Sequence, residues 1–189
     1  MILSLASSFA AAWVSARTTP PPAPERPRRR LAAEKAWGAL AGERGTPLAI
    51  LRIAGIYGPG RNALQSLADG TAKRIVKPDQ VFNRIHVDDI AATIAAAAAK
   101  EAAGIVNLAD DAPAPPEDVV AFAAALMGVP PPPAIAFEDA ELSPMARSFY
   151  GENKRVANRR LRDELGVALR YPTYREGLGA MWRDGTWRG

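Results

Sequence analysis

Apolar residues follow two kinds of pattern along this chain. Positions at helical spacing predict helices, and short continuous apolar runs predict buried strands. The runs that predict strands cover residues 47–54, 105–109 and 134–137, with a further extended segment at 81–86. The segments that predict helices cover residues 28–44, 63–74, 89–100, 117–127, 153–165 and 174–182.

The order of these elements predicts an α/β fold. A helix, a short turn and an apolar strand in succession form half of a βαβ unit, which requires a parallel partner strand. The length of 189 residues suits one domain, and 48% hydrophobic residues supply a sizeable core. Residues 18–30 form a proline-rich polar loop. We therefore divide the chain into a divergent start at 1–27 and a folded region at 28–189.

Composition narrows the functional classes. There is no cysteine and only one histidine, His86, so we expect neither disulfides nor a metal site. The net charge of +4 falls short of a nucleic-acid footprint, and the basic run at 26–30 is interpreted as a solvated helix entry rather than a phosphate contact. No stretch is long and apolar enough to cross a membrane, and the apolar run at 2–16 has no basic residue before it, so we expect a cytoplasmic protein.

The strand at 47–54 is the segment around which the rest is organised. Three glycines, at 55, 58 and 60, follow it and predict a loop. Open α/β sheets bind ligands beyond the carboxyl ends of their strands. We therefore predict that Arg61 and Asn62, directly after these glycines, face a ligand, although the same residues also suit a rigid turn.

Several segments resemble one known family. They are Y-G-P-G-R at 57–61, N-R-I-H-V-D-D-I-A at 83–91, G-I-V-N-L-A-D-D at 104–111, N-K-R-V-A-N-R-R-L-R-D-E-L-G at 153–166 and Y-P-T-Y-R-E-G-L at 171–178. In this order they resemble the C-terminal portion of extended or atypical short-chain dehydrogenases/reductases, the NAD(P)-dependent epimerase/dehydratase family. The resemblance implies an incomplete Rossmann-like, doubly wound parallel sheet with a small C-terminal substrate-side lobe.

The resemblance also implies a site. NAD or NADP would be the cofactor, with the backbone of Gly55, Ile56 and Tyr57 near its nicotinamide. A small-molecule substrate, such as a nucleotide sugar, would lie near Asn83 and Arg84, where the guanidinium suits phosphate or carboxylate. His86 would be either a substrate-side acid/base or a structural histidine, and Asp88 or Asp89 would cap the helix that follows.

Two parts of the family pattern are missing from this sequence. No Gly-x-x-Gly-x-x-Gly turn for the dinucleotide pyrophosphate occurs, and Leu31 stands where the family's Tyr-x-x-x-Lys pair has its tyrosine, leaving Lys35 as the one catalytic candidate. We therefore expect a truncated or weakly active oxidoreductase relative. The alternative is a non-catalytic binding module whose exposed sheet edge pairs with a partner or, as a homodimer, with a second copy.

Overall fold

The computed structural model describes residues 2–5, 13–14 and 25–189, in which seven helices and nine strands are assigned. In chain order the elements are β1 (Ile2–Leu5), β2 (Trp13–Val14), α1 (Glu25–Arg44), β3 (Ala49–Ile53), β4 (Gly55–Tyr57), α2 (Ala63–Ala68), β5 (Arg74–Val76), β6 (Arg84–His86), α3 (Val87–Ala99), β7 (Gly104–Leu108), α4 (Pro116–Met127), β8 (Ala134–Ala136), α5 (Pro144–Phe149), β9 (Arg155–Val156), α6 (Arg159–Asp163) and α7 (Tyr174–Arg183).

A parallel three-stranded sheet forms the centre of the fold, in the order β1-β3-β7. Every residue of β3 is buried, as its apolar run predicts. Leu51 and Val106 are paired across β3 and β7 and belong to a core that α3 and α6 cover with Ile90 and Leu161. The α/β class with a parallel sheet is thereby confirmed. No helix in the described part of the chain has the length and apolar character needed to span a bilayer.

The buried polar pair Glu34–Arg52 fixes helix α1 on this sheet. The Nη2 of Arg52 lies 2.7 Å from Oε2 of Glu34, and both side chains are buried. Because a buried charge requires a hydrogen-bonded partner, the pair specifies which face of α1 meets the sheet. The helix begins at Glu25, three residues before the predicted start, and it ends as predicted before Gly45, which has a φ of 60°.

The predicted glycine loop is wrong in its first part. Gly55, Ile56 and Tyr57 form strand β4, which runs parallel to β6, and the turn begins only at Gly58. A Cβ at position 55 would lie 3.1 Å from the carbonyl oxygen of Asn83, so glycine there permits the close strand pairing. At Gly60, with a φ of 70°, the backbone requires the left-handed region that glycine adopts without strain.

The helix predicted over 153–165 is also wrong. Residues 155–156 form strand β9, and only Arg159–Asp163 are helical. The amide side chain of Asn83 accounts for the difference, because it accepts from Val156 N at 2.8 Å and donates to Lys154 O at 2.9 Å. These tertiary hydrogen bonds hold the segment extended and override its helical apolar spacing. Helix α2 ends at Ala68, before the predicted end at 74, and strand β5 begins at Arg74 and pairs with β8.

Helix α3 starts differently from the prediction. Its N-cap is His86, whose Nδ1 accepts from Asp88 N at 3.2 Å. The carboxylate of Asp89 instead faces the segment before α7, where it accepts from Arg170 N at 2.7 Å and Tyr171 N at 3.1 Å. Asp89 is 1% exposed. It therefore links α3 to the C-terminal part of the fold.

Replacing Asp89 by alanine should strongly destabilise the fold. The change leaves two backbone N–H groups without their acceptor, which should lower the free energy of unfolding by roughly 3 kcal/mol. Urea unfolding followed by circular dichroism measures this loss. Asp88→Ala removes the neighbouring, half-exposed carboxylate and should cost less than about 1 kcal/mol. Equal losses in the two variants would contradict the linking role of Asp89.

Candidate functional site

A cleft of about 380 Å³ opens beside the parallel strands β4 and β6, where Ile56 and Tyr57 of β4 and Arg84, the first residue of β6, line it. Helices α2, α4 and α7 pack around this region, with Leu64, Val119 and Leu178 in one shared core. The volume lies within the range typical of small-molecule sites. The side chains and backbone that line the cleft belong to Ile56, Tyr57, Arg61, Asn62, Ala63, Ser66, Thr71, Ala72, Lys73, Arg84, Pro116, Val119, Val120, Tyr174 and Leu178.

Three cationic side chains line this cleft, and they differ in how they are held. Arg61 is exposed at the turn before α2. Lys73 donates from Nζ to Glu141 O at 3.0 Å. Arg84 is largely buried and donates from Nη1 to Phe82 O at 2.9 Å and to Ala114 O at 3.1 Å. No acceptor in the described part of the chain is hydrogen-bonded to Nε or Nη2 of Arg84, so these donors remain for a ligand.

Asp110 lies behind Arg84, just after β7. Its backbone N donates to Arg84 O, and its Oδ1 accepts from Ala112 N at 3.2 Å. The side chain is 1% exposed, and its Oδ2 has no hydrogen-bond partner among the described residues. Burial raises the pKa of the Asp110 carboxyl to about 7, against the opposing effects of the Ala112 N–H and of Arg84. Asp110 therefore titrates near neutral pH.

Aromatic rings form the buried side of the site. His86 is 2% exposed, with its ring centroid 4.1 Å from that of Tyr171 and 5.1 Å from that of Tyr57. Burial lowers the pKa of His86 and raises the pKa of the Tyr57 phenol, which Asp110, Asp89 and Glu176 raise further. At neutral pH both rings are therefore uncharged. The Tyr57 hydroxyl donates to Thr173 O at 3.4 Å.

The residues predicted from the sequence divide into two groups. Ile56, Tyr57, Arg61, Asn62 and Arg84 meet at the cleft. Of the others, Gly55, Asn83 and His86 lie on or beside the paired strands without lining it, and Lys35 has an exposed side chain on α1.

The amide of Asn62 is hydrogen-bonded within the protein. Its Nδ2 donates to the carbonyl oxygens of Gly58 and Trp187, both at 2.8 Å, and its Oδ1 accepts from Gln65 N at 2.9 Å, which caps helix α2. Asn83 is similarly engaged by β9. These contacts support the turn interpretation of Asn62. The Arg61 side chain has no hydrogen-bond or ionic partner in the described part of the chain, and its charge stays at the cleft mouth.

Sequence reasoning missed Lys73, Tyr174 and Asp110. Lys73 and Tyr174 are 101 positions apart in the sequence and meet only in the folded chain. Asp110 belongs to the D-D-A-P-A-P-P segment, which reads as a simple exit loop. The available signal was its place directly after a buried parallel strand, where α/β folds concentrate functional side chains.

Comparison with known proteins gives relatives that match this chain over part of their length. No family model matches. The chain is 32% identical over 143 residues to a Streptomyces protein named 3-diazoavenalumate denitrifying reductase, covering 69% of this chain and 45% of that protein. A functionally unknown conserved protein from Silicibacter pomeroyi is 49% identical, with a TM-score of 0.88 over 97% of this chain and 65% of that structure. The chain thus spans less than two thirds of either.

Other solved structures define the fold. UDP-glucuronic acid 4-epimerase from Bacillus cereus, in complex with NAD, is 15% identical, with a TM-score of 0.73 over 96% of this chain and 59% of that one. Further nucleotide-sugar epimerases and dehydratases share this fold. The chain has the Rossmann-like fold of the NAD(P)-dependent epimerases/dehydratases, as the sequence resemblance implies.

The pKa of Asp110 makes stability depend on pH. In the unfolded chain this carboxyl has an ordinary pKa near 3.8, whereas in the folded chain it titrates at about 7. Between these values the folded state holds one more proton, so the free energy of unfolding falls as pH rises, by up to about 4 kcal/mol in all. Asp110→Asn should remove this fall in the free energy of unfolding with rising pH.

Urea unfolding of both proteins at pH about 5 and about 8 measures the difference. Asp111→Asn is the matched control, because it removes the adjacent, exposed carboxylate and should keep the pH dependence. If the stability of the Asp110→Asn protein relative to the unsubstituted one is the same at both pH values, Asp110 does not titrate in this range.

Proposed function

We propose that this chain forms the substrate side of an NAD(P)-dependent oxidoreductase of the epimerase/dehydratase kind, and that its cleft binds a small anionic substrate. The observation that carries the proposal is the convergence of Arg61, Lys73 and Arg84 on one cleft beside the parallel strands β4 and β6. The 32% identical relative is named as a reductase, which favours hydride transfer as the reaction class.

A nucleotide sugar is the substrate class that the cleft suits best. Its phosphates would accept from the free donors of Arg84 and from Arg61, since guanidinium groups bind phosphate through paired hydrogen bonds. Tyr174 and Leu178 would cover the apolar part of the ligand. Structures of the same fold are named for nucleotide-sugar substrates, and one contains UDP-glucuronic acid with NAD.

The residues present fit one end of the cofactor. Gly55 is exposed without a side chain at the strand end, and Ile56 and Tyr57 line the cleft, so this backbone would hold the nicotinamide carboxamide. When bound, the nicotinamide would supply or accept a hydride. The sequence contains no fingerprint turn for the pyrophosphate, so tight dinucleotide binding by this chain alone is not expected.

Leu31 in place of the family's tyrosine leaves no hydroxyl at that position for proton transfer. We propose that this chain alone is at most weakly active, with Lys35 available to hydrogen-bond a ribose. A cytoplasmic location and a homodimer remain predictions from the sequence.

Nucleotide-sugar binding should depend on the cleft cations. UDP-glucose should bind to the unsubstituted chain, and Arg84→Met should weaken it at least about tenfold, because charge-assisted hydrogen bonds to phosphate are lost. Isothermal titration calorimetry measures the affinity. Arg61→Ala should weaken binding without disturbing buried contacts. Arg183→Met, on the exposed face of α7, is the control. Unchanged affinity in both cleft variants would place the ligand elsewhere.

Dinucleotide binding should be weak in this chain. We expect NAD(H) and NADP(H) to bind no tighter than about 1 mM, which corresponds to roughly 4 kcal/mol. Calorimetric titration of each cofactor decides the point, with AMP as a control for binding through the adenosine alone. A dissociation constant in the micromolar range would show that another phosphate cradle replaces the missing fingerprint.

A further inference from the structure

The Arg84–Asp110 pair places a titratable carboxyl directly behind the buried cation of the cleft. The backbones of the two residues are hydrogen-bonded, from Asp110 N to Arg84 O. The side chains are close enough for their charges to interact, yet no hydrogen bond joins them. Asp110 therefore opposes the charge of Arg84 without occupying the guanidinium donors that face the cleft.

The unpartnered oxygen of Asp110 requires a physical explanation. A buried carboxylate oxygen without a donor costs free energy, so it must be satisfied by a proton or by a ligand. Oδ2 is inaccessible even to water, and Asp110 does not line the cleft. A ligand in the cleft therefore cannot reach Oδ2, and a proton is the group that can satisfy it.

The surroundings of Asp110 leave Arg84 as its main ionic partner. Asp111 on the same loop and Glu176 on α7 both favour its neutral form, whereas Arg84 on β6 favours the carboxylate. Tyr57 on β4 and Tyr174 on α7 are uncharged at neutral pH, since burial raises both of their pKa values. The ionisation of Asp110 thus depends on how far the charge of Arg84 is engaged elsewhere.

We propose that Asp110 sets the charge of the cleft: its carboxyl takes up a proton when an anion binds Arg84 and releases that proton when the anion leaves. The inference rests on the proposed function of the cleft as an anion-binding site. In the empty protein above the pKa of Asp110, the carboxylate and the guanidinium partly neutralise each other. When an anion shares the guanidinium, the carboxylate loses part of its stabilisation and its negative charge repels the ligand, so protonation becomes favourable.

This coupling makes anion affinity depend on pH through a residue that the ligand does not touch. Below the pKa of Asp110 the positive charge of Arg84 is unopposed and anions bind more tightly. Above it the carboxylate competes with the ligand. Asp110 is thus a positioning residue, which acts through Arg84 and favours ligands that carry negative charge.

The test uses two probes whose charge is constant between pH about 6 and about 8, sulfate and UDP-glucose. Calorimetry should show affinity for each probe about fivefold higher at the lower pH, because one unit of coupling changes the affinity about tenfold only over the whole titration. In buffers of different ionisation enthalpy near pH 7, the unsubstituted protein should take up protons on binding. Asp110→Asn mimics the protonated form and should bind with high affinity at both pH values, without proton uptake. Asp110→Ser is a second neutral variant.

Asp111→Asn should keep both the pH dependence and the proton uptake, with the midpoint at a lower pH, because the Asp111 carboxylate favours the neutral form of Asp110. Binding of sulfate with the expected pH dependence but no binding of UDP-glucose would support the role of Asp110 and refute the nucleotide-sugar proposal. Binding of both probes without pH dependence, or a dependence that survives in Asp110→Asn, would overturn the role of Asp110 and leave the substrate proposal intact. If neither sulfate nor UDP-glucose binds, both the role of Asp110 and the nucleotide-sugar proposal are overturned.

Discussion

The buried carboxylate of Asp89 is the constraint on which the arrangement of the cleft depends. It accepts the backbone N–H groups of Arg170 and Tyr171, more than eighty positions later in the chain. This contact fixes the segment that leads into α7. Tyr171 then packs against His86, and Tyr174 and Leu178 reach the cleft. One side chain of α3 therefore positions the α7 residues that line one side of the cleft.

Close packing reinforces this arrangement at the point where α7 meets β4. A Cβ at position 177 would overlap the hydroxyl oxygen of Tyr57, so glycine lets the helix approach this ring. A Cβ at position 58 would lie 2.7 Å from Cγ1 of Val87. Two of the glycines thus serve the protein's own packing, which shows that glycine near a strand end need not mark a ligand.

The sequence was sufficient to predict those helices and strands whose apolar pattern is dictated by burial. Strands β3 and β7 and helices α1, α3, α4 and α7 were predicted because their apolar periodicity reflects a face that must be buried. Strands β4, β5 and β9 have at most three residues each, too few to establish a pattern, and tertiary hydrogen bonds hold them. The prediction of a helix over 153–165 was wrong for this reason. The side chain of Asn83, which holds this segment extended, lies far away in the sequence.

Two of the three cations of the candidate site were predictable from the sequence, but its chemistry was not. Arg61 was predicted from its place after a buried strand and its glycines, and Arg84 from the family resemblance. Sequence alone cannot distinguish an amide that binds a ligand from one that binds backbone, as Asn62 and Asn83 show. Nor does it report that Asp110 is buried, and its near-neutral titration follows from burial.

The walls of the cleft come from three separated parts of the chain, at 56–84, 116–120 and 174–178. No partly folded form that lacks one of these parts contains the complete binding surface. A ligand of the cleft therefore binds the native state more tightly than any such intermediate. By mass action it stabilises the whole fold and not a single element. In a cell, the concentration of that ligand would help to set how much of the protein escapes proteolysis.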